Sequence, residues 1–225
     1  MIRRIYHGSD HIIEKPEYGY GKPYNDYGLG FYCTENIDMA KEWAVSDEQD
    51  GFANIYDLDM DGLTVLDLND DSYTVMNWLA VLLENRTFDV PAGLPLEAKR
   101  YITGNFMPDY KNYDIVTGLR ADDSYFSFAQ DFINGTISYQ SLGKAMHLGK
   151  MGTQTVLKSQ LAFDRIKYIG NEIADHEEWY EKKTARDNSA RQMYFNQRTG
   201  KWQKGELYII QILDEEIKQD DPRLR

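Results

Sequence analysis

The sequence predicts an α+β fold, and three observations predict it. Short runs rich in β-branched and aromatic residues are scattered between amphipathic segments of helical length. They lack the steady strand–helix alternation of a doubly wound sheet. The composition, 42% hydrophobic and 28% charged over 225 residues, is that of an ordinary globular chain. Glycine and proline punctuation, dense over residues 16–30, closes the runs into separate elements.

In chain order, residues 2–6 read as a strand that runs directly into His7 and Gly8. Residues 16–30 form a glycine- and tyrosine-rich loop, and residues 31–34 a short strand. Thr34 or Asn36 can cap a helix over 37–44, whose apolar stripe is Ile37, Ala40, Trp43 and Ala44. Residues 54–58 and 63–68 read as two strands joined by a polar hairpin turn at Asp61 and Gly62. Residues 73–84 carry Val75, Trp78, Leu79, Leu82 and Leu83 at helical spacing, and 96–101 form a further short helix. A strand over 113–118 follows, then helices over 124–134 and 138–148 with Gly135 between them. Strands over 154–158 and 164–169 flank a turn. After residue 170 the chain becomes charged and helix-prone over 172–193, with a mixed run at 207–216. The organisation expected is therefore one domain over residues 1–170 and a helical C-terminal extension over 171–225.

Charge and cysteine usage exclude several classes. The net charge of −12 gives a mean field that repels phosphate, which disfavours a general affinity for nucleic acid or anionic membranes and still permits a local basic groove. One cysteine, Cys33, excludes a disulfide framework and a cysteine-rich zinc site. The four histidines do not cluster, so no metal is expected. The first residues turn polar too soon for a signal peptide, and no apolar run has the roughly 18 residues a membrane helix needs. The expectation is a soluble cytoplasmic protein with no membrane partner.

Three blocks stand out. The first is Tyr6, His7, Gly8 and Ser9. The second runs from Asp26, Tyr27 and Gly28 through Leu29, Gly30, Phe31 and Tyr32 to Trp43. The third is Tyr113, Asp114, Ile115 and Val116, then Ala121, Asp122 and Asp123, with Gln154 opening the later strand. Each has a bland reading: a strand end with a satisfied histidine, core aromatics, glycines in a turn. Gly28, Leu29 and Gly30 are not a dinucleotide fingerprint without a third glycine and a βαβ setting. Together and in this order they suit a flat, amide-bearing ring joined to a ribose. His7 can exchange a hydrogen bond with a ribose hydroxyl. Gly8 lets the backbone reach a carboxamide, and Ser9 can add a hydroxyl. Tyr32 and Trp43 can sandwich a pyridinium, a contact of about 1–3 kcal/mol.

On these blocks the chain resembles the ADP-ribosyltransferase superfamily, which includes poly-ADP-ribose polymerases and diphtheria-type toxins. It looks closest to a bacterial domain-of-unknown-function family grouped with them. The resemblance spans roughly residues 1–168. It implies a split, mostly antiparallel sheet with NAD, as substrate, in the cleft between its halves. By that likeness His7, Gly8, Ser9, Tyr32 and Trp43 hold the nicotinamide-ribose half of NAD, and His7, Tyr32 and Gln154 carry catalysis. The implied reaction is transfer of ADP-ribose to an unidentified macromolecular or small-molecule acceptor with release of nicotinamide. The rival readings are an NAD glycohydrolase, an NAD-binding pseudoenzyme and an interaction module.

The sequence departs from the superfamily at its catalytic carboxylate, usually a glutamate at the start of a late strand, where Gln154 is the match. Glutamine keeps a hydrogen bond to ribose but offers no charge and takes no proton. Asp122, Asp123 or Glu172 are the alternative carboxylate sources, with a helix cap or a solvated charge as the bland reading of the aspartates. Cys33 should face away from Tyr32 and be a buried structural residue. Aromatics in the extension, among them Tyr194, Phe195, Trp202 and Tyr208, either pack on the domain or form a surface for a small antitoxin-like protein, as bacterial toxins of this type have.

Overall fold

The computed structural model describes residues 1–121, 123–148, 152–197 and 202–225. Seven strands form one sheet: β1 (Ile2–Ser9), β2 (Phe31–Thr34), β3 (Gly51–Asp59), β4 (Val65–Asp67), β5 (Ile115–Leu119), β6 (Thr153–Leu157) and β7 (Ile166–Ala174). Their order is β4-β5-β6-β2-β1-β3-β7. Only β4 and β5 pair parallel; the remaining neighbours are antiparallel.

The sheet nearly divides at its middle. β1 and β2 share a single facing pair, Tyr6 and Thr34, whereas β1 and β3 pair along their whole length from Ile2–Asp59 to Ser9–Phe52. The two halves pack on each other through Ile5, Tyr56 and Leu58 from one and Phe31, Cys33, Ile115 and Leu157 from the other. Strand alternation sends Val116 and Val156 to the opposite face of their half, where they join the larger core. Helices α2 (Val75–Asn85), α3 (Leu94–Asn105), α4 (Asp123–Ile133), α5 (Tyr139–Met146) and α8 (Ile209–Asp214) cover that face.

The expected helix over 37–44 is α1 (Ile37–Ala44), with the Asn36 side chain accepting from the Asp38 and Met39 amides. It lies so close to β1 that a Cβ on Gly8 would stand 2.0 Å from the Ala40 carbonyl oxygen and 2.9 Å from the Trp43 Cβ. The glycine is therefore required by this approach, and the approach sets Trp43 beside the end of β1.

Three expectations need correction. Residues 54–58 and 63–68 do not form a hairpin: β3 pairs with β1 and β7, while β4 crosses to the far edge of the sheet beside β5. The Asp114 carboxylate fixes that edge by accepting from the Thr64 amide and hydroxyl, each at 2.8 Å. Where residues 159–163 were expected to turn and 164 to open a strand, Ser159 caps a short helix, α6 (Gln160–Asp164). Residues 170–174 continue β7, because β3 supplies partners for Glu172 and Ala174 at Ala53 and Gly51; the next helix, α7, starts only at His176 (His176–Gln197). Residue 170 thus lies inside a strand. The extension beyond it is joined to the main core through Ala190, Tyr194, Leu207, Ile209, Ile212 and Leu224, all buried.

Candidate functional site

A cleft of about 490 Å³ opens where β1 and β2 part, and His7, Gly8, Tyr32, Trp43 and Gln154 all line it. They come from β1, β2, the adjoining α1 and β6, the last far from the others in sequence. Ser9 is not in its lining; it is half-buried at the end of β1, with its hydroxyl donating to the His11 carbonyl.

His7 has a fixed tautomer. Its Nδ1 lies 2.7 Å from the Tyr32 carbonyl oxygen, which can only accept, so Nδ1 carries the hydrogen and the neutral ring keeps Nε2 as an acceptor. The ring stacks on Phe31 at 4.3 Å between centroids. Burial pushes its pKa below the ordinary value, the bond to the Tyr32 carbonyl opposing, and the His11 charge adds to the lowering. His7 is therefore neutral at pH 7.

Tyr32 serves the loop over 10–30 as much as the cleft. Its hydroxyl donates to the Gly28 carbonyl at 2.6 Å and accepts from the Tyr27 amide at 3.0 Å. Burial pushes the phenol well above its usual range, so it stays protonated. The Lys158 ammonium reaches the Tyr27 and Leu29 carbonyls of the same turn, and its pKa falls to about 8, chiefly by burial.

Gln154 meets the carboxylate of Asp26, which opens the second sequence block with no role of its own there. Its Nε2 donates to Asp26 Oδ2 at 2.9 Å and to the Leu119 carbonyl at 3.2 Å. Asp26 is buried and also accepts from Arg86 Nε at 2.8 Å and from the Ala121 amide at 2.8 Å. Both Nε2 hydrogens of Gln154 are thereby engaged, which leaves Oε1 as the atom it can offer a ligand. Of the alternative carboxylates, Glu172 lies outside the cleft lining and pairs with Lys41 at 2.6 Å. Asp122 and the Asp123 side chain lie outside the described residues.

Basic groups gather on this cleft although the chain is strongly acidic: Arg86, Arg120, Lys183, Arg186 and Arg191 line it, against the carboxylates of Asp26 and Asp187. The Arg120 guanidinium carbon lies 4.3 Å from the centroid of the Trp43 ring. Trp43 Nε1 is buried with no hydrogen-bond partner among the described residues. Burial first, then the Arg120 charge, holds the Lys183 ammonium below its ordinary value. Four of the lining residues sit on α7, anchored to α1 by Arg186 Nε on Glu42 Oε2 at 2.8 Å. A sequence signal for them exists: Lys183, Asp187 and Arg191 recur at four-residue spacing beside the buried Ala190 and Tyr194, so one face of the helix carries both packing and charge. Cys33 is fully buried behind Tyr32, and burial raises its thiol pKa.

The fold and the site define an α+β protein whose partly divided sheet opens on a cationic cleft. The family model DUF3990, described as a protein of unknown function, matches residues 3–168, and the chain belongs to that family. The matched part contains His7, Gly8, Tyr32, Trp43 and Gln154 and stops short of α7. No curated protein and no solved structure matches the chain. Among the described residues, no helix is long and apolar enough to cross a membrane.

Proposed function

We propose that the protein binds NAD in this cleft and transfers its ADP-ribose to an acceptor, releasing nicotinamide. One observation carries the proposal: His7, Gly8, Tyr32, Trp43 and Gln154, chosen for their residue types, line a single cleft at the opening of the sheet. The polar groups suit the ligand. His7 Nε2 and Gln154 Oε1 are both acceptors, so they call for a ligand that presents hydroxyl donors, as a ribose does. Tyr32 and Trp43 supply flat apolar faces, and the five basic side chains suit a diphosphate. In the reaction, the bond between the ribose anomeric carbon and the nicotinamide nitrogen breaks, and its electron pair leaves with nicotinamide. The acceptor supplies the pair for the new bond. A carboxylate or phosphate acceptor carries no proton to remove, which fits a cleft with Gln154 in place of a carboxylate.

A second reading, NAD binding without transfer, is favoured by the bond from Gln154 to Asp26. That bond engages the amide in the fold, and Arg86 and the Ala121 amide offset the nearest carboxylate.

Calorimetric titration of NAD into wild type and Tyr32→Ala, with nicotinamide release followed on the same samples, tests both. Binding that Tyr32→Ala abolishes, accompanied by release, supports the transferase or a hydrolase, and a labelled acceptor separates these two. Binding without release supports the second reading. No binding at millimolar NAD rejects the NAD assignment.

A further inference from the structure

The sheet ends on two unequal edges. One is β4, three residues long; the other is β7, nine residues long and paired with β3 alone. Among the described residues, no other segment gives β7 a backbone hydrogen bond. An open row of amides and carbonyls is a template for a further strand. Its side chains are open as well: Lys167, Asn171 and Glu172 are exposed, and so are Ile169 and Ile173, the latter by 67%. The register with β3 fixes the side each takes. Ile166, Tyr168, Asn171 and Ile173 face Leu58, Tyr56, Asn54 and Phe52, so they share one side of the sheet. Lys167, Gly170 and Glu172 face Asp57, Ile55 and Ala53 and share the other. Ile169 is the extra residue of a bulge, and the alternation changes phase there.

We propose that β7 is the seam of a homodimer, pairing antiparallel with β7 of a second copy about a two-fold axis between Ile169 and Gly170. In that register Ile166 faces the second copy's Ile173, Lys167 faces its Glu172 and Tyr168 faces its Asn171. Each pair lies on one side of the sheet, because the phase change at the bulge lets odd and even positions meet. Three features favour a second copy over a foreign strand. A bulge discourages an arbitrary partner, whereas a second copy carries the same irregularity at the same place. The charges are self-complementary. Lys167 has no ion pair among the described residues, since Asp57 opposite it is held by Arg4 at 2.6 Å. Glu172 meets Lys41 through Oε2 and is half exposed, which leaves Oε1 for a second lysine. The exposed Ile173 gains an apolar neighbour in Ile166. The net charge of −12 opposes association, but salt at about 0.15 M screens it beyond about 8 Å, and cross-strand pairs stand closer than that. The seam is independent of the NAD reading, since β7 contributes no residue to the cleft lining.

Sedimentation velocity on the full chain, from about 5 to about 300 μM at about 0.15 M salt, tests the seam. Wild type is expected to dimerise reversibly within this range. Lys167→Glu sets like charges opposite each other at both symmetric positions, and Ile173→Lys sets a charge against Ile166. Each is expected to weaken the dimer by about tenfold or more, with an unchanged circular dichroism spectrum, because both side chains are exposed. Lys167→Glu mixed with Glu172→Lys should form a heterodimer tighter than either variant's own dimer, since both facing pairs are again of opposite sign. A wild type that stays monomeric at about 300 μM rejects the proposal. So does a dimer that either Lys167→Glu or Ile173→Lys leaves at wild-type strength, since the contact then lies elsewhere. A mixture no tighter than its separate components rejects it too. Should Glu172→Lys not fold with Lys41 beside it, Lys167→Glu and Ile173→Lys decide by themselves.

Discussion

Gln154 Nε2 donates to Asp26 Oδ2 at 2.9 Å, and both side chains are almost wholly buried. The pair joins β6 to the loop that precedes β2, and Arg86 and the Ala121 amide complete the carboxylate's shell. Residue 154 is thus a donor to its neighbour, and a glutamate there faces another carboxylate.

Gln154→Glu is therefore expected to destabilise the protein by about 1–3 kcal/mol at pH 7, because two adjacent buried carboxylates cannot both ionise cheaply. One of them takes a raised pKa, so the deficit should shrink as the pH falls toward 5. The double variant Gln154→Glu with Asp26→Asn should recover most of the loss. Urea melts of wild type and both variants at the two pH values check this; a single variant as stable as wild type at pH 7 contradicts the pairing.

Gly8→Ala is expected to cost about 1–3 kcal/mol, the range for overpacking, since the added Cβ meets the Ala40 carbonyl at 2.0 Å and α1 must shift. The shift carries Trp43 away from His7, so ligand binding should weaken with stability. Denaturant midpoints and NAD titration read both; unchanged values show that α1 accommodates the methyl group.

Tyr32→Phe keeps the ring and removes the hydroxyl that holds Gly28 and Tyr27. About 1–2 kcal/mol of stability should be lost, with faster amide exchange concentrated around residues 27–28. Tyr32→Ala should add the loss of the ring contact to the same effect. Exchange measured by mass spectrometry distinguishes this from a uniform loss of protection.

Arg186→Ala removes the partner of Glu42 in an ion pair whose side chains are only 14% and 11% exposed. The uncompensated carboxylate makes a loss of about 3 kcal/mol the expected outcome, larger than any exposed pair gives. Arg186→Ala with Glu42→Gln should be more stable than Arg186→Ala alone. If α7 leaves α1, protease cleavage should begin within residues 176–197.

The pH dependence of His7 has a definite sign. Its folded pKa is depressed by burial below the ordinary 6.5, so its contribution to stability is present above 6.5 and is lost as the pH falls through the folded value. Protonation also removes Nε2 as an acceptor, so NAD binding should be insensitive to His7 titration above 6.5 and fall at lower pH. Wild type should lose more stability than His7→Asn as the pH drops below 6.5. The half-buried His176, raised chiefly by its hydrogen bond to Asp50, acts oppositely: its contribution is full below 6.5 and lost as the pH rises through the raised value. The comparison with His7→Asn cancels it.

Local spacing determined much of this protein. The stripe of Ile37, Ala40, Trp43 and Ala44 behind Asn36 became α1. The alternation around Tyr32 and Cys33 became β2, with the cysteine buried behind it. These features depend on a few neighbouring residues, whose periodicity fixes which side chains share a face. Tertiary structure decided what those faces meet. The β4 strand pairs with β5 and not with its sequence neighbour β3, whose two edges are taken by β1 and β7, and residues 170–174 became strand because β3 was there to pair with them. Asp26 acquired its meaning from Gln154, Arg86 and Ala121. A buried charge takes its role from the groups that replace its water, and those groups came from distant parts of the chain, where periodicity carries no information about who the neighbours are.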